Sequence, residues 1–278
     1  MMNYTIFQTY FSEDQKSHLD QDFEPFDNTA NLHPEFREYW VNLKVRDIAV
    51  KRGLEAWGNF SQRFFLKMGG LTGAAVHQLI KDNPGYDVYF FNYDTRIVMV
   101  NYNLWEQGVR HHVHLLTIME EILPIMGVDT SVIYQPMGLD TWFAACTCVA
   151  SKDFWDGYLS LVDNFLRAVP KLSIQTHKLL CSGANYAPNR SLWYFPFIQE
   201  RLFSTYILLN KDSLKVLPYH RDKELWIAQE GYSKLHALKE SGIKNKDQST
   251  LYSWAQLRNH YEPPLDDMAK VWIPYLWK

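Results

Sequence analysis

Asn92 and Asp94 stand one residue apart at the end of the run Gly85-Tyr86-Asp87-Val88-Tyr89-Phe90-Phe91. The run is apolar, β-branched and aromatic, as strands buried inside an α/β protein are. Polar groups at the exit of such a strand lie where ligands of open α/β sheets usually bind. Asn and Asp are also ordinary turn residues, so a bare turn is the competing reading. Glu200 precedes Leu202, Phe203, Tyr206, Ile207, Leu208 and Leu209, a composition that implies deep burial. Burial disfavours the charged form and lifts a carboxyl toward the range of a general base. Glu200-Arg201 also suits a structural ion pair with a favourable charge at a helix start. Asp140, in the Gly138-Leu139-Asp140 loop, is the second candidate base. His111, His112 and His114 have no third metal ligand nearby and read as helix-start surface residues, with contact to a phosphate or acceptor as the alternative.

These residues need a scaffold, and the pattern predicts helix–strand alternation, the mark of an α/β sheet. A first strand is expected over 4–10, with Ser12 capping a short acidic helix and a polar loop over 20–34. Pro34-Glu35 opens a helix to about residue 50, and another spans 72–81 until Asn83-Pro84-Gly85 breaks it. The strand over 88–91 follows. Residues 101–108 read as a loop and 112–123 as a helix; 132–134 and 142–149 read as strands. Ser151 caps a helix with apolar residues at 154, 155, 158, 159, 162, 165 and 166. A last strong helix is expected from Pro196 to residue 210, then a polar, Lys-rich linker over 239–250 and an aromatic tail with Trp272, Tyr275 and Trp277. The expected division is a catalytic domain over 1–210 and a helical, aromatic extension over 211–278 packing on it.

The chain of 278 residues is long enough for a sizeable core, and 47% hydrophobic with 21% charged residues is globular. A net charge of −3 gives no electrostatic case for nucleic acid. Cys146, Cys148 and Cys181 are an odd, sparse set, pointing to a reducing compartment rather than a disulfide scaffold. Cys146-x-Cys148 lacks zinc spacing and, on a strand, reads as core. With no signal peptide at residues 1–11 and no transmembrane run, the expectation is a cytoplasmic protein. Gly-x-Gly-x-x-Gly, Walker A and Gly-x-Ser-x-Gly patterns are absent, against dinucleotide enzymes, P-loop transferases and α/β-hydrolases. Aromatics reach 15%, which suits sugar faces as well as plain core packing.

Five segments together resemble small GT-A-like glycosyltransferases of polysaccharide and viral glycan biosynthesis. They are Ile6-Phe7-Gln8-Thr9-Tyr10 with Pro25-Phe26-Asp27-Asn28-Thr29; Trp57 to Lys67; the run 85–94 with Asn103-Leu104-Trp105-Glu106-Gln107-Gly108; Cys146 to Tyr158; and Phe197-Ile198-Gln199-Glu200-Arg201-Leu202-Phe203-Ser204-Thr205. Asn92-x-Asp94 resembles a degenerate Asp-x-Asp, the element that holds a divalent ion against a sugar nucleotide. The resemblance implies a mixed, mostly parallel sheet flanked by helices, and transfer of a sugar from a nucleoside diphosphate, UDP by class frequency, to a glycan hydroxyl.

By the same resemblance Thr9, Tyr10, Asp27 and Asn28 hold the nucleotide, Tyr10 stacking on the base; an Asx turn is the plain reading of Asp27-Asn28-Thr29. Leaving-group charge falls to Mn²⁺ or Mg²⁺ on Asp94, or to Arg37, Arg63 and Lys67. Asn92 in place of the first carboxylate weakens metal affinity and leaves a metal-independent route open. For Arg63 and Lys67 a solvated helix face is the alternative. Glu106 and Gln107 are expected to bond donor-sugar hydroxyls and Trp105 to pack on the ring. The rival function is a non-catalytic glycan-binding or assembly protein on a transferase-like fold. The aromatic tail, with Lys270 and Lys278, either covers the core or leans on a membrane that carries the acceptor.

Overall fold

A computed structural model describes residues 2–143, 147–187, 190–261 and 268–277. The chain opens with β1 (Tyr4–Tyr10), α1 (Glu13–Lys16) and β2 (Glu24–Asp27), followed by α2 (Glu38–Lys51) and β3 (Ala56–Ser61). Next come α3 (Phe64–Lys67), α4 (Gly73–Asp82), β4 (Val88–Asn92), α5 (Thr95–Val100), α6 (Leu104–Val109) and α7 (Leu115–Ile125). The strand β5 (Cys148–Ser151) leads into α8 (Lys152–Ala168) and α9 (Ile174–Cys181), and a ribbon of β6 (Ala184–Ala187) and β7 (Arg190–Leu192) precedes α10 (Phe195–Leu209). Then β8 (Val216–His220) enters the sheet, followed by α11 (Lys223–Ile227), α12 (Glu230–Lys244), α13 (Gln248–Arg258) and α14 (Met268–Trp272).

The architecture is α/β: a six-stranded mixed sheet in the order β2-β1-β3-β5-β4-β8, flanked by helices. Only β5 runs against its neighbours. The carboxyl ends of β1, β2, β3, β4 and β8 therefore share one edge, which brings Tyr10, Asp27, Ser61, Asn92 and His220 to the same side. Alternation along each strand splits the core in two. Phe7, Trp57, Val88, Phe90, Cys148 and Ala150 face the layer of α2, α7, α8 and α10. Ile6, Phe60, Tyr89, Phe91 and Val149 face Val76 and Ile80 of α4. This two-sided burial is why β4 reads as a continuous apolar run.

Local signals hold at Gly85, Thr72 and Ser151, whereas Ser12 precedes α1 without a side-chain capping bond. Gly85 takes φ +88° after the α4 breaker, Thr72 caps α4 through Ala75 N at 3.3 Å, and Ser151 caps α8 through Phe154 N at 3.2 Å. The helix expected from Pro34 is interrupted: a 3-10 turn over Pro34–Phe36 precedes Arg37 at φ +49°, and α2 starts after it. Residues 101–108 are not a loop, because Asn103 caps α6 by accepting from Glu106 N at 2.8 Å. Residues 130–134 are a 3-10 turn rather than a strand, held by Asp129 on Ser131 N at 2.9 Å. Cys148 is buried in β5, and Cys146 lies outside the described residues.

The expected linker over 239–250 is instead the end of α12 and the start of α13. Residues after 210 also supply β8, so the segment expected as an appended extension completes the sheet. Its helices build a third cluster in which Trp254, Leu235, Leu251, Ala269 and Ile273 enclose Val100 and Tyr102. Trp272 and Trp277 pack against that cluster, whereas Tyr275 is 72% exposed. Among the described residues no helix is long and apolar enough to cross a membrane.

Candidate active site

Beyond the end of β4 the chain turns through Tyr93 into α5, and a cleft of about 300 Å³ opens there. Tyr93, Ile97, Leu104, Gln107, His111, His112, Trp142, Phe197, Glu200 and Arg201 line it. They come from the β4 exit, α5, α6, the turn before α7, the segment ahead of β5, and α10.

Glu200 sits in the first turns of α10, half-buried, and its carboxylate has no hydrogen-bond partner among the described residues. Burial raises its pKa to about 7, and Glu38 at the start of α2 adds to the rise, while Arg201 and Lys67 oppose it. A carboxyl poised there can take a proton near neutral pH. Its neighbour Arg201 turns the other way. Burial lowers Arg201 to about 10, and its guanidinium donates to Leu104 O at 3.0 Å, Phe197 O at 2.7 Å and Gln107 Oε1 at 3.0 Å. Gly108 makes room for it, since a Cβ at that position would collide with the guanidinium. Arg201 thereby locks α6 to α10 and fixes two walls of the cleft.

The strand-exit pair lies beside the cleft rather than in its lining. Asn92 is buried and donates to Trp142 O at 2.6 Å and toward His220 Nδ1 at 3.5 Å. His220, whose pKa burial lowers to about 4, donates from Nε2 to Leu139 O at 2.7 Å. The buried ring is neutral, so Nδ1 is left to accept from Asn92. Asp94 caps α5 at Ile97 N, 3.4 Å away, and approaches Arg96 at 4.0 Å. Its pKa is raised, chiefly by burial and further by Asp222, with Arg96 and Ile97 N opposing. Asp222 itself is occupied by Thr95 N at 2.8 Å and Trp226 Nε1 at 2.7 Å. Among the described residues no group of three or more His, Cys, Asp or Glu side chains is placed to hold a metal ion.

A second concavity of about 520 Å³ opens at the end of β2, between the loop of Asp27, Asn28, Thr29 and Asn31 and the α2 residues Trp40, Lys44 and Asp47. Asp27 accepts from Thr29 N at 2.9 Å and Thr29 Oγ1 at 2.8 Å, the Asx turn that its type allows. Those bonds hold its carboxyl below the usual range, with Tyr10 contributing. Asn28 is buried, and its Nδ2 has no hydrogen-bond partner among the described residues. The Lys44 ammonium stands 4.5 Å from the Trp40 ring centroid. Thr9 is also buried but points along the sheet, donating to Asn59 Oδ1 at 2.6 Å, while Asn59 donates to Asn42 Oδ1 at 2.9 Å. Arg63 and Lys67 are exposed on the α3 turn, and Lys67 lies near enough to Glu200 to lower its pKa.

The residues expected around the sugar divide. Gln107 reaches the cleft. Trp105 is fully buried and donates to Thr205 Oγ1 at 3.1 Å, and Glu106 is locked in a two-pronged pair with Arg258 at 2.7 and 2.8 Å. Helical phase explains the split, because successive residues of α6 point about 100° apart, so Leu104 and Gln107, three apart, share the cleft face while Trp105 and Glu106 turn away from it. Asp140 is exposed and outside the cleft lining. Tyr93, Trp142 and Phe197 line the cleft although nothing in the sequence marked them as site residues. No known protein family, curated protein or solved structure matches the chain.

Proposed function

We propose that this protein is a GT-A-like, nucleotide-sugar-dependent glycosyltransferase that moves a sugar from a nucleoside diphosphate, UDP on class frequency alone, to a hydroxyl of a glycan acceptor. One observation carries the reading: Glu200, lifted to about 7, lines a cleft beside the carboxyl end of β4. That edge is where open α/β sheets bind ligands. In the proposed mechanism the Glu200 carboxylate accepts the proton of the attacking hydroxyl as the new glycosidic bond forms and the bond to the diphosphate breaks. The base and ribose occupy the concavity at the end of β2, where Asn28 Nδ2 has no partner among the described residues and Trp40 forms part of the wall.

Charge growing on the leaving diphosphate needs a counter-charge. Lys67 and Arg63, on the β3 side of that edge, are the chain's own cations for it. Asp94 provides a single half-buried carboxylate already engaged as a helix cap, too thin a donor set to route a step through Mn²⁺ or Mg²⁺. The withdrawal of Asn92 and Asp94 from the cleft lining favours the second reading, a non-catalytic glycan-binding protein.

A calorimetric and thermal-shift panel of nucleoside diphosphates and nucleotide sugars, with and without Mn²⁺, tests both. A native-state ligand at a hundred times its Kd adds about 2.7 kcal/mol of stability. A nucleotide hit with slow hydrolysis of the sugar conjugate supports the transferase. Silence of every nucleotide, with binding of oligosaccharides alone, replaces it with the glycan-binding reading.

A further inference from the structure

The cleft beside Glu200 is chemically selective in a way that the reaction class does not dictate. His112 stands at its inner wall, 6% exposed. Its ring lies against Phe197, centroids 3.9 Å apart and planes at 31°. Its main chain is fixed by a bond from His112 N to Gly108 O at 2.9 Å. Its Nδ1 is buried without a hydrogen-bond partner among the described residues. A buried polar atom without a bond calls for a partner from outside the chain, water or ligand, and His112 is the residue with such an atom whose ring also lines the cleft.

What meets it follows from charge. Burial comes first and the Arg201 guanidinium second in pushing His112 down to about 4, with His111 adding to the effect. The imidazole is therefore neutral at physiological pH and presents one donor and one acceptor. Arg201 is the one permanent cation among the described lining residues, and it is turned onto two main-chain carbonyls and Gln107. A phosphate or carboxylate placed here would face Glu200 with that cation already engaged. A hydroxyl, which both donates and accepts, matches a neutral imidazole. Ile97, Leu104 and Phe197 supply apolar surface for the C–H face of a ring.

We infer that this cleft binds an uncharged sugar ring, and that His112 is a specificity-determining residue that hydrogen-bonds one of its hydroxyls. The inference rests on the transferase reading and narrows its substrate class to neutral sugars, excluding uronic acids and phosphosugars.

The full-length protein, labelled with ¹⁵N-histidine, would be titrated with UDP and GDP, with their neutral hexose conjugates, and with UDP-glucuronate. The His112 ring nitrogens should shift with a neutral hexose conjugate and not with the bare nucleotide. UDP-glucuronate should bind no better than UDP. His112→Ala should lose about tenfold in affinity for the neutral conjugate while keeping its affinity for the nucleotide, and His112→Asn should recover part of that loss. Conjugate binding that leaves the ring signals unmoved, or a preference for the uronate, overturns the inference and leaves the transferase standing. If no nucleotide binds at all, the transferase reading falls and this inference with it. The ring signals of the unsubstituted protein keep the test valid even if His112→Ala fails to fold.

Discussion

Two regions of this molecule withdraw charged side chains from water, and they treat those charges differently. Under the C-terminal helices, Glu106 and Arg258 form a two-pronged pair with 3% and 1% of their side chains exposed, and Glu106 also accepts from Tyr102 N at 2.6 Å. Lys239 donates to Val98 O at 2.6 Å and Asn101 O at 2.5 Å, with the Trp142 and Trp254 rings 5.5 and 5.3 Å away. Each of these three charged side chains is engaged. Across α6, the cleft keeps a carboxylate without a hydrogen bond and an imidazole nitrogen without a partner among the described residues. Unmet polar atoms alone do not mark a site, since under the C-terminal helices Asn101 Oδ1 and Tyr102 OH are also buried without a bond among the described residues; what sets the cleft apart is a carboxyl with a raised pKa and no bonded partner, facing open space. The difference separates a structural ion-pair core from the candidate site on the other side of α6.

The largest effect expected from breaking the contrast is at Glu200. Glu200→Gln should lower sugar transfer by about 10²–10⁴-fold, the usual contribution of a general base. The same change should stabilise the fold. Because burial raises the folded-state pKa to about 7, the folded protein binds the proton more tightly than the unfolded chain. The carboxylate is thus a liability above pH 7 that fades as pH falls through 7 toward the unfolded value. Glu200→Gln should therefore raise Tm at pH 8 and leave it nearly unchanged at pH 4. Loss of stability at pH 8 would place Glu200 in the satisfied class and remove it as the base.

In the structural region the opposite holds. Glu106→Ala strands Arg258 in the interior and should cost about 3–5 kcal/mol, read by denaturant unfolding. The remaining folded fraction should still bind nucleotide with native affinity. A nucleotide affinity lost at full foldedness would show that Glu106 acts on the ligand.

Lys239→Met tests the same region through pH. Burial lowers the Lys239 pKa to about 7, with Glu240 and Glu106 opposing. The unfolded chain therefore binds this proton more tightly between pH 7 and the ordinary lysine range, and stability from this group rises with pH across that window. The slope of stability against pH between 7 and 9 should flatten in Lys239→Met, with a net loss of about 1–3 kcal/mol from the two abandoned carbonyls. An unchanged slope would mean that the ammonium is not the titrating group.

Much of the scaffold was legible because it is local. The Asn83-Pro84-Gly85 stop, the Ser151 cap and the apolar run of β4 each rest on a few adjacent residues. β8 escaped because it is a half-buried edge strand carrying Pro218, which central strands avoid. The stretch 239–250 looked like a linker because of its lysines, yet Lys239 turns its ammonium onto interior carbonyls. At the cleft, the composition after Glu200 announced its burial. Tyr93, Trp142 and Phe197 come from parts of the chain about fifty residues apart, and the β4–β5–β3 pairing and the packing of α10 bring them together. No local spacing encodes that. The split between Gln107 and Glu106 depends on which side of α6 meets Arg258, a partner 152 residues away from Glu106.

Asp94 stands between the two classes, and the smallest expected effect lies there. Its carboxylate caps α5 and its pKa is raised, with burial and Asp222 as causes. Asp94→Asn keeps a capping oxygen and removes the charge, so the helix start should survive with a change of only a few tenths of a kcal/mol. Above the acid range the loss of a penalised charge offsets part of even that. If Asp94 is a cap and nothing more, nucleotide affinity should stay within about threefold of native, and Mn²⁺ should leave the two proteins equally affected. If Mn²⁺ strengthens nucleotide binding in the native chain and that gain disappears in Asp94→Asn at unchanged Tm, the carboxylate belongs with Glu200 among the groups held for a ligand. The β4 exit, rather than Lys67 and Arg63, would then carry the charge of the diphosphate.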